Sequence, residues 1–290
     1  MTGFLNINKP AGLTSFAVVK QVKAKLPKMK IGHLGTLDPM ATGVLPLALG
    51  SATRLIEWVD DDSKTYRTTM ILGATSDTQD QWGNLQPTGK SACTEKALRE
   101  TLPMFQGEVF QIPPMYSAVH HQGKRLYELA RKGIEVEREA RPVLIRRLEL
   151  LDFFQDEAGQ SNIALEVDCS AGTYIRTLCH DIGQTLGTGA YLSALERTRW
   201  GPFRLDSSFV LAQMEDWEQK VISATRVVNL PHYRLNEEES REIEHGRSIS
   251  IQGTNPFTSN YVLLLTPTDT PFAVAEFVEQ KILQPKKVFH

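Results

Sequence analysis

No aspartate or glutamate occurs in the first 37 residues; Asp38 is the first carboxylate of a 290-residue chain with a formal net charge of only −2. Cysteine is scarce too: Cys93, Cys169 and Cys179 are widely spaced and never form a CxxC pair. That spacing signals neither a zinc knuckle nor a redox dithiol, so inert thiols are expected. No apolar run approaches the roughly 20 residues of a membrane helix. The N-terminus lacks the charged-then-apolar order of a signal peptide, so the expected location is the cytoplasm. Nucleotide-binding signatures are also missing. No GxGxxG follows a strand, and GNLQPTGKS at 83–91 has five residues between its glycines where a P-loop requires four. The HxE and PCxxC elements of a zinc deaminase do not occur.

What is present is an ordinary globular composition, 41% apolar and 23% charged, with a marked asymmetry of charge. Residues 1–37 carry six lysines, and residues 120–147 carry eight Lys/Arg against four Glu. Residues 206–245 reverse the balance, with nine Asp/Glu against four Lys/Arg. A basic face on a near-neutral chain suits a polyanionic partner, although a solvated lysine face explains the same counts.

Apolar periodicity predicts an α+β protein with strands dominating the core. Thr14 or Ser15 can cap a helix with a Val18, Val19, Val22 and Leu26 stripe. GHLGTLDPMATG at 32–43 is too rich in Gly, Pro and Thr to be a regular element, and a helix is expected near 51–59. Residues 64–73 read as a strand with Tyr66, Thr68, Met70 and Leu72 on one face. Residues 163–169 alternate likewise through Ile163, Leu165, Val167 and Cys169. A helix starting near Thr173 would bury Tyr174, Leu178, Ile182 and Leu186. Residues 111–133 look like an exposed excursion between strands. A boundary is placed near Asn229, followed by a helix capped by Asn236 with Glu239 in the capping-box position, and then short strands.

The densest chemical signal is GHLGTLDPMATGVL. It puts a single carboxylate, Asp38, on a glycine-punctuated loop, with Pro39 biasing it toward an extended conformation. On these residues alone, Asp38 reads first as a turn-capping aspartate, His33 as a structural hydrogen-bonder, Arg176 as a solvated arginine, and Tyr66, Tyr174 and Leu195 as core.

The order of motifs changes that balance. NKPAGLTS at 8–15, GHLGTLDPMATGVL at 32–45, KTYR at 64–67, TSDTQD at 75–80 and QIPPMYSA at 111–118 occur in turn. GKRLYELAR at 123–131, RPV at 141–143, CSAGTYIRTL at 169–178, RTRWGPF at 197–203 and PKKVF at 285–289 follow. Together they resemble the TruB family of tRNA pseudouridine synthases, of the bacterial type. The resemblance implies a mixed-sheet catalytic domain over 1–228 with a thumb insertion at about 113–142, and a small PUA-like RNA-binding domain over 229–290. It implies that Asp38 is the nucleophile, that Arg176 pairs with it, and that Tyr66 stacks on the target base. His33 would help open the T-loop, and Tyr174 and Leu195 would line the nucleoside pocket. Phe16 departs from the polar residue many members carry, and no function is attached to it.

The activity implied is conversion of uridine 55 in the T-loop of tRNA to pseudouridine by base flipping. The product is an isomer of the substrate, so no cofactor and no metal is expected. The expected partner is tRNA, without a membrane or an obligate protein partner, and the enzyme is expected to be a monomer. Two rival readings of the same motifs are an RNA-folding chaperone and a synthase guided to other RNAs by partners; the short chain and bacterial-like tail count against the second. No catalytic motif lies beyond 228, so removing 229–290 is expected to lower RNA affinity yet leave some activity.

Overall fold

The structure, a computed structural model, describes residues 2–157, 159–251, 259–279 and 281–289. The first half runs β1 (Gly3–Lys9), α1 (Ser15–Lys25), β2 (Ile31–His33), β3 (Thr42–Leu49), β4 (Lys64–Leu72), β5 (Ala74–Ser76), β6 (Leu85–Pro87), α2 (Glu95–Thr101) and β7 (Gly107–Gln111). The excursion holds β8 (His120–His121), β9 (Lys124–Arg125) and α3 (Leu126–Ala130). Then come β10 (Arg141–Gln155), β11 (Ser161–Cys169), α4 (Ile175–Thr185), β12 (Ala190–Trp200) and β13 (Phe203–Arg204). The C-terminal part is β14 (His232–Arg234), α5 (Glu237–Glu244), β15 (Ile249–Ser250), β16 (Tyr261–Leu265), β17 (Pro271–Glu279) and β18 (Ile282–Val288).

A nine-stranded sheet in the order β1-β3-β12-β4-β11-β10-β7, with β2 on β3 and β13 on β12, forms the body. It is mixed: β12 meets β3 in parallel, while its other pairings are antiparallel. The alternation read in β4 and β11 is realised. Tyr66, Thr68, Met70 and Leu72 are buried, as are Ile163, Leu165, Val167 and Cys169. Helix α4 covers the same core with Leu178, Cys179 and Ile182. Burial pushes the Cys169 and Cys179 thiols up to about 12, so both stay protonated near neutrality. Thr14 caps α1 by accepting from the Ala17 amide. The Asn236–Glu239 capping box forms reciprocally at the start of α5.

Two readings differ. Residues 51–59 do not form one helix but two 3₁₀ turns, Gly50–Arg54 and Ile56–Trp58. A short tight turn lets Leu55 and Val59 reach the core within a few residues. Tyr174 is not part of the α4 stripe; it is the extended residue before the first turn, half-buried and tied to β7. The excursion between β7 and β10 has a small core of its own, Met115, Leu126 and Leu129.

A second sheet, β14-β16-β17-β18-β15, follows. One core cluster joins Phe4, Leu55, Val59, Trp200 and Phe203 of the body to Leu263, Leu265, Val274 and Phe289. The Arg54 guanidinium donates to the Val288 carbonyl at 2.6 Å, and Lys287 pairs with Glu57. The seam changes what truncation should do. Each such side chain stripped of cover loses about 1.5–3 kcal/mol of burial. A chain ending at residue 228 is therefore expected to unfold about 10 °C or more below the full-length protein. Calorimetry of both chains checks this, and equal midpoints would show that the seam carries no stability.

Candidate active site

The loop from Leu34 to Ala41 joins β2 to β3 and is fixed from below. Gly35 and Gly43 adopt φ of +70° and +97°, which glycine reaches without strain. A side chain at Gly35 would collide with the Trp200 indole, and one at Gly43 with the Arg197 backbone. The Ser15 hydroxyl accepts from the Leu37 amide at 2.9 Å and faces the Leu37 carbonyl at 3.2 Å. Buried Lys9 donates to the carbonyls of Pro10 (2.9 Å), Pro39 (3.2 Å) and Ala41 (2.6 Å). Arg197 donates to Val44 (2.8 Å), Thr36 (3.4 Å) and Gly35 (3.0 Å). Two buried cations thus grip the backbone on either side of Asp38.

The Asp38 carboxylate makes its bonds to a third cation, Arg176. The Asp38 side chain is 36% exposed, and the Nε of Arg176 lies 2.8 Å from Oδ2. A second guanidinium nitrogen donates to Oδ1 at 3.4 Å. Among the described residues no backbone N–H of the loop donates to the Asp38 carboxylate, so the group does not cap its own turn. The Asp38 carbonyl closes the turn instead, accepting from the Ala41 amide at 3.1 Å.

Arg176 sits in the first turn of α4, where the helix dipole disfavours a cation. Its side chain is only 5% exposed. The nitrogen that donates to Asp38 Oδ1, Nη2, also donates to the Tyr116 carbonyl at 2.9 Å, while Nη1 donates to the Thr78 carbonyl at 2.9 Å and lies 3.8 Å from Asp80 Oδ2. Asp80 is oriented in turn by the Thr78 hydroxyl (2.7 Å) and the Trp82 amide (3.0 Å). The 76–84 loop is pinned beside this group. Gln79 takes φ +62°, its side chain accepts from Thr177 at 2.8 Å, and its carbonyl accepts from the Leu192 amide.

Tyr66 lies on β4 directly opposite Arg197 of β12 and is 7% exposed. Burial pushes its hydroxyl pKa up, while the Arg197 guanidinium pulls the other way. Tyr174 is bracketed by the Gln111 side chain, which accepts from its amide at 3.0 Å and donates to its carbonyl at 3.2 Å. Burial pushes its hydroxyl pKa up, and the Arg176 charge pulls it down. Leu195 is buried on β12, and its carbonyl faces the Thr42 hydroxyl at 3.5 Å. His33 is half-buried on β2, with an Nδ1 that finds no hydrogen-bond partner among the described residues. Burial first, and Arg197 second, push its pKa down.

The structure therefore brings Asp38 and Arg176 into contact, with Tyr174 in the electrostatic reach of both and Tyr66 in that of Asp38. Among the described residues neither His33 nor Leu195 hydrogen-bonds the carboxylate. Reading from sequence missed Lys9, Asp80 and Arg197. Lys9 was one of the six lysines ascribed to a basic face; it is instead fully buried, and burial lowers its pKa to about 8. The available signal was position: Lys9 and Arg197 sit on strands whose neighbours on the same face are core residues.

Residues 22–175 match the family model for the TruB family pseudouridylate synthase N-terminal domain, and residues 176–231 match the tRNA pseudouridylate synthase B C-terminal domain. The chain is 48% identical to tRNA pseudouridine synthase B of Syntrophomonas wolfei over 299 aligned positions, covering 100% of this chain and 99% of that protein. It is 45% identical to the protein of the same name from Heliobacterium modesticaldum, covering 100% and 96%. Among solved structures, a chain of a Cbf5-Nop10-Gar1 complex superposes with a TM-score of 0.69 at 27% identity, covering 99% of this chain and 85% of that one. A chain of an H/ACA RNP bound to a substrate RNA containing 2′-deoxyuridine gives 0.68 at 25% identity, with the same coverage.

Proposed function

This chain belongs to the TruB family and is a tRNA pseudouridine synthase, and on that premise we propose that it isomerises uridine 55 in the T-loop of tRNA with Asp38 as nucleophile. The observation that carries this reading is the half-open Asp38 carboxylate, held by Arg176 at 2.8 Å on a loop clamped by Lys9 and Arg197. A nucleophile needs a free face and a fixed direction, and this arrangement supplies both.

In the reaction the N1–C1′ bond of uridine breaks, the uracil turns, and C5 bonds to C1′. The C5 hydrogen leaves and N1 gains a proton, so atoms balance within one nucleotide. The base must first leave its stack at a cost of a few kcal/mol. Tyr66 stacks on the extruded uracil, worth about 1–3 kcal/mol. Tyr174 and Leu195 wall the pocket, and neutral His33 supports the opened T-loop. The exposed lysines of α1, Lys20, Lys23 and Lys25, together with the basic excursion at 113–142, meet phosphates, while the shape of the T-loop supplies recognition. Residues 1–228 form the catalytic domain in this reading, and 229–290 a PUA-like RNA-binding domain. Among the described residues no helix is long and apolar enough to cross a membrane. The enzyme works as a cytoplasmic monomer without a protein partner.

Bulk tRNA lacking the modification, treated with the pure protein and mapped for pseudouridine, is expected to gain it at position 55 alone. Modification elsewhere with position 55 untouched would assign a different target, and no modification would leave an RNA-binding role.

A further inference from the structure

Arg197 is 1% exposed, and among the described residues no carboxylate pairs with it. Burying a guanidinium without a counter-anion is costly. Backbone carbonyls alone do not call for a cation, since a neutral donor or a water satisfies them. The rest of its environment indicates what the charge is for. Three of its bonds end on Gly35, Thr36 and Val44, three and two residues before Asp38 and six after it. Tyr66 is the register partner of Arg197 directly across β4 and β12, and its hydroxyl lies within the electrostatic reach of the same guanidinium. The Arg197 charge also acts on His33 and Lys9.

We propose that Arg197 is a positioning residue for the isomerisation: it holds both ends of the Asp38 loop from the strand position directly beside Tyr66, fixing the attacking carboxylate relative to the stacking ring. The assignment rests on the activity proposed above. Arg197 need not touch the RNA. It acts because the Gly35, Thr36 and Val44 carbonyls share one planar fork with several donors, a geometry lysine cannot reproduce. A shift of about 1 Å between the ring and the carboxylate would suffice for a loss on the order of 100-fold in rate.

The test is single-turnover tritium release from 5-tritiated tRNA, with enzyme in saturating excess, for wild type, Arg197→Lys, Tyr66→Phe and the double variant. Filter binding and thermal melts accompany it. Arg197→Lys is expected to lower the rate constant by about 100-fold with tRNA affinity within threefold (~3) of wild type. Tyr66→Phe keeps the ring but not the hydroxyl and is expected to lose about tenfold. The double variant is expected to be no slower than Arg197→Lys within about a factor of three, because both remove one coupled unit. A purely structural arginine would instead lower the melting midpoint and the active fraction while leaving the rate constant of the folded molecules unchanged, and that result overturns the proposal. So does full multiplicative loss in the double variant. If Arg197→Lys does not fold, Tyr66→Phe decides: a wild-type rate constant removes the coupling. Failure of wild-type enzyme to release tritium would strike the activity itself, which separates the two claims.

Discussion

Asp38→Asn is expected to abolish pseudouridine formation, by at least about 10⁴-fold, while the protein stays folded and still binds tRNA. Asparagine is nearly isosteric, and the loop does not depend on the carboxylate. Ser15 holds Leu37, Lys9 holds Pro39 and Ala41, and Arg197 holds Gly35 and Thr36. The turn closes through the Asp38 backbone carbonyl, which asparagine retains. Only the bonds to Arg176 involve the side chain, and an amide oxygen can keep one of them. An aspartate that merely capped a turn would tolerate this change, since both residues cap turns readily. A nucleophile cannot tolerate it, because an amide does not form the covalent intermediate. Tritium release reports the chemistry, since the C5 hydrogen must leave, and filter binding on the same preparation reports affinity. Substantial release by the Asn variant would falsify the nucleophile assignment.

How much of this was legible beforehand depended on the distance over which each feature is determined. The Asn236–Glu239 capping box is decided within four residues, and the Val18, Val19 and Val22 stripe within one helix, so both follow from local pattern. The alternation in β4 and β11 is local in the same sense. By contrast, the seam between Phe4, Leu55 and Val59 and the C-terminal Leu263, Leu265 and Phe289 joins segments about two hundred residues apart, and no window along the chain displays it. The same holds for Lys9 and Arg197. Each is a charged residue whose solvent has been replaced by backbone carbonyls from distant turns, and that replacement exists only after the chain has folded. The pairing of Asp38 with Arg176 came from the resemblance and not from spacing: 138 positions separate the two residues. The split of Gly50–Trp58 into two turns was hidden because burial of Leu55 and Val59 fits one helix as well as two tight turns.

Arg176→Lys should show the second-largest loss, about 10²–10³-fold in the single-turnover rate, with tRNA affinity changed only a few-fold. Charge is conserved, so any simple electrostatic account predicts a mild effect. The geometry predicts otherwise. Arg176 serves two oxygens of Asp38, the Thr78 and Tyr116 carbonyls, and lies 3.8 Å from Asp80, all from one planar group with its side chain 5% exposed. An ammonium has three donors on a flexible stem and cannot reach these acceptors together. If it follows Asp38, the two carbonyls lose this donor and Asp80 loses the cation 3.8 Å away. If it follows the carbonyls, Asp38 is free to swing out of line. Either way the carboxylate loses its fixed direction. The competing view is that Arg176 is a strut, joining α4 to the 76–84 loop and, through Tyr116, to the base of the excursion. A strut predicts weaker tRNA binding and a lower melting midpoint, with a normal rate constant once RNA is saturating. Rate constant and affinity, measured separately on the same variant, therefore decide between orienting the nucleophile and bracing the fold. A rate constant within threefold (~3) of wild type would assign Arg176 to the frame.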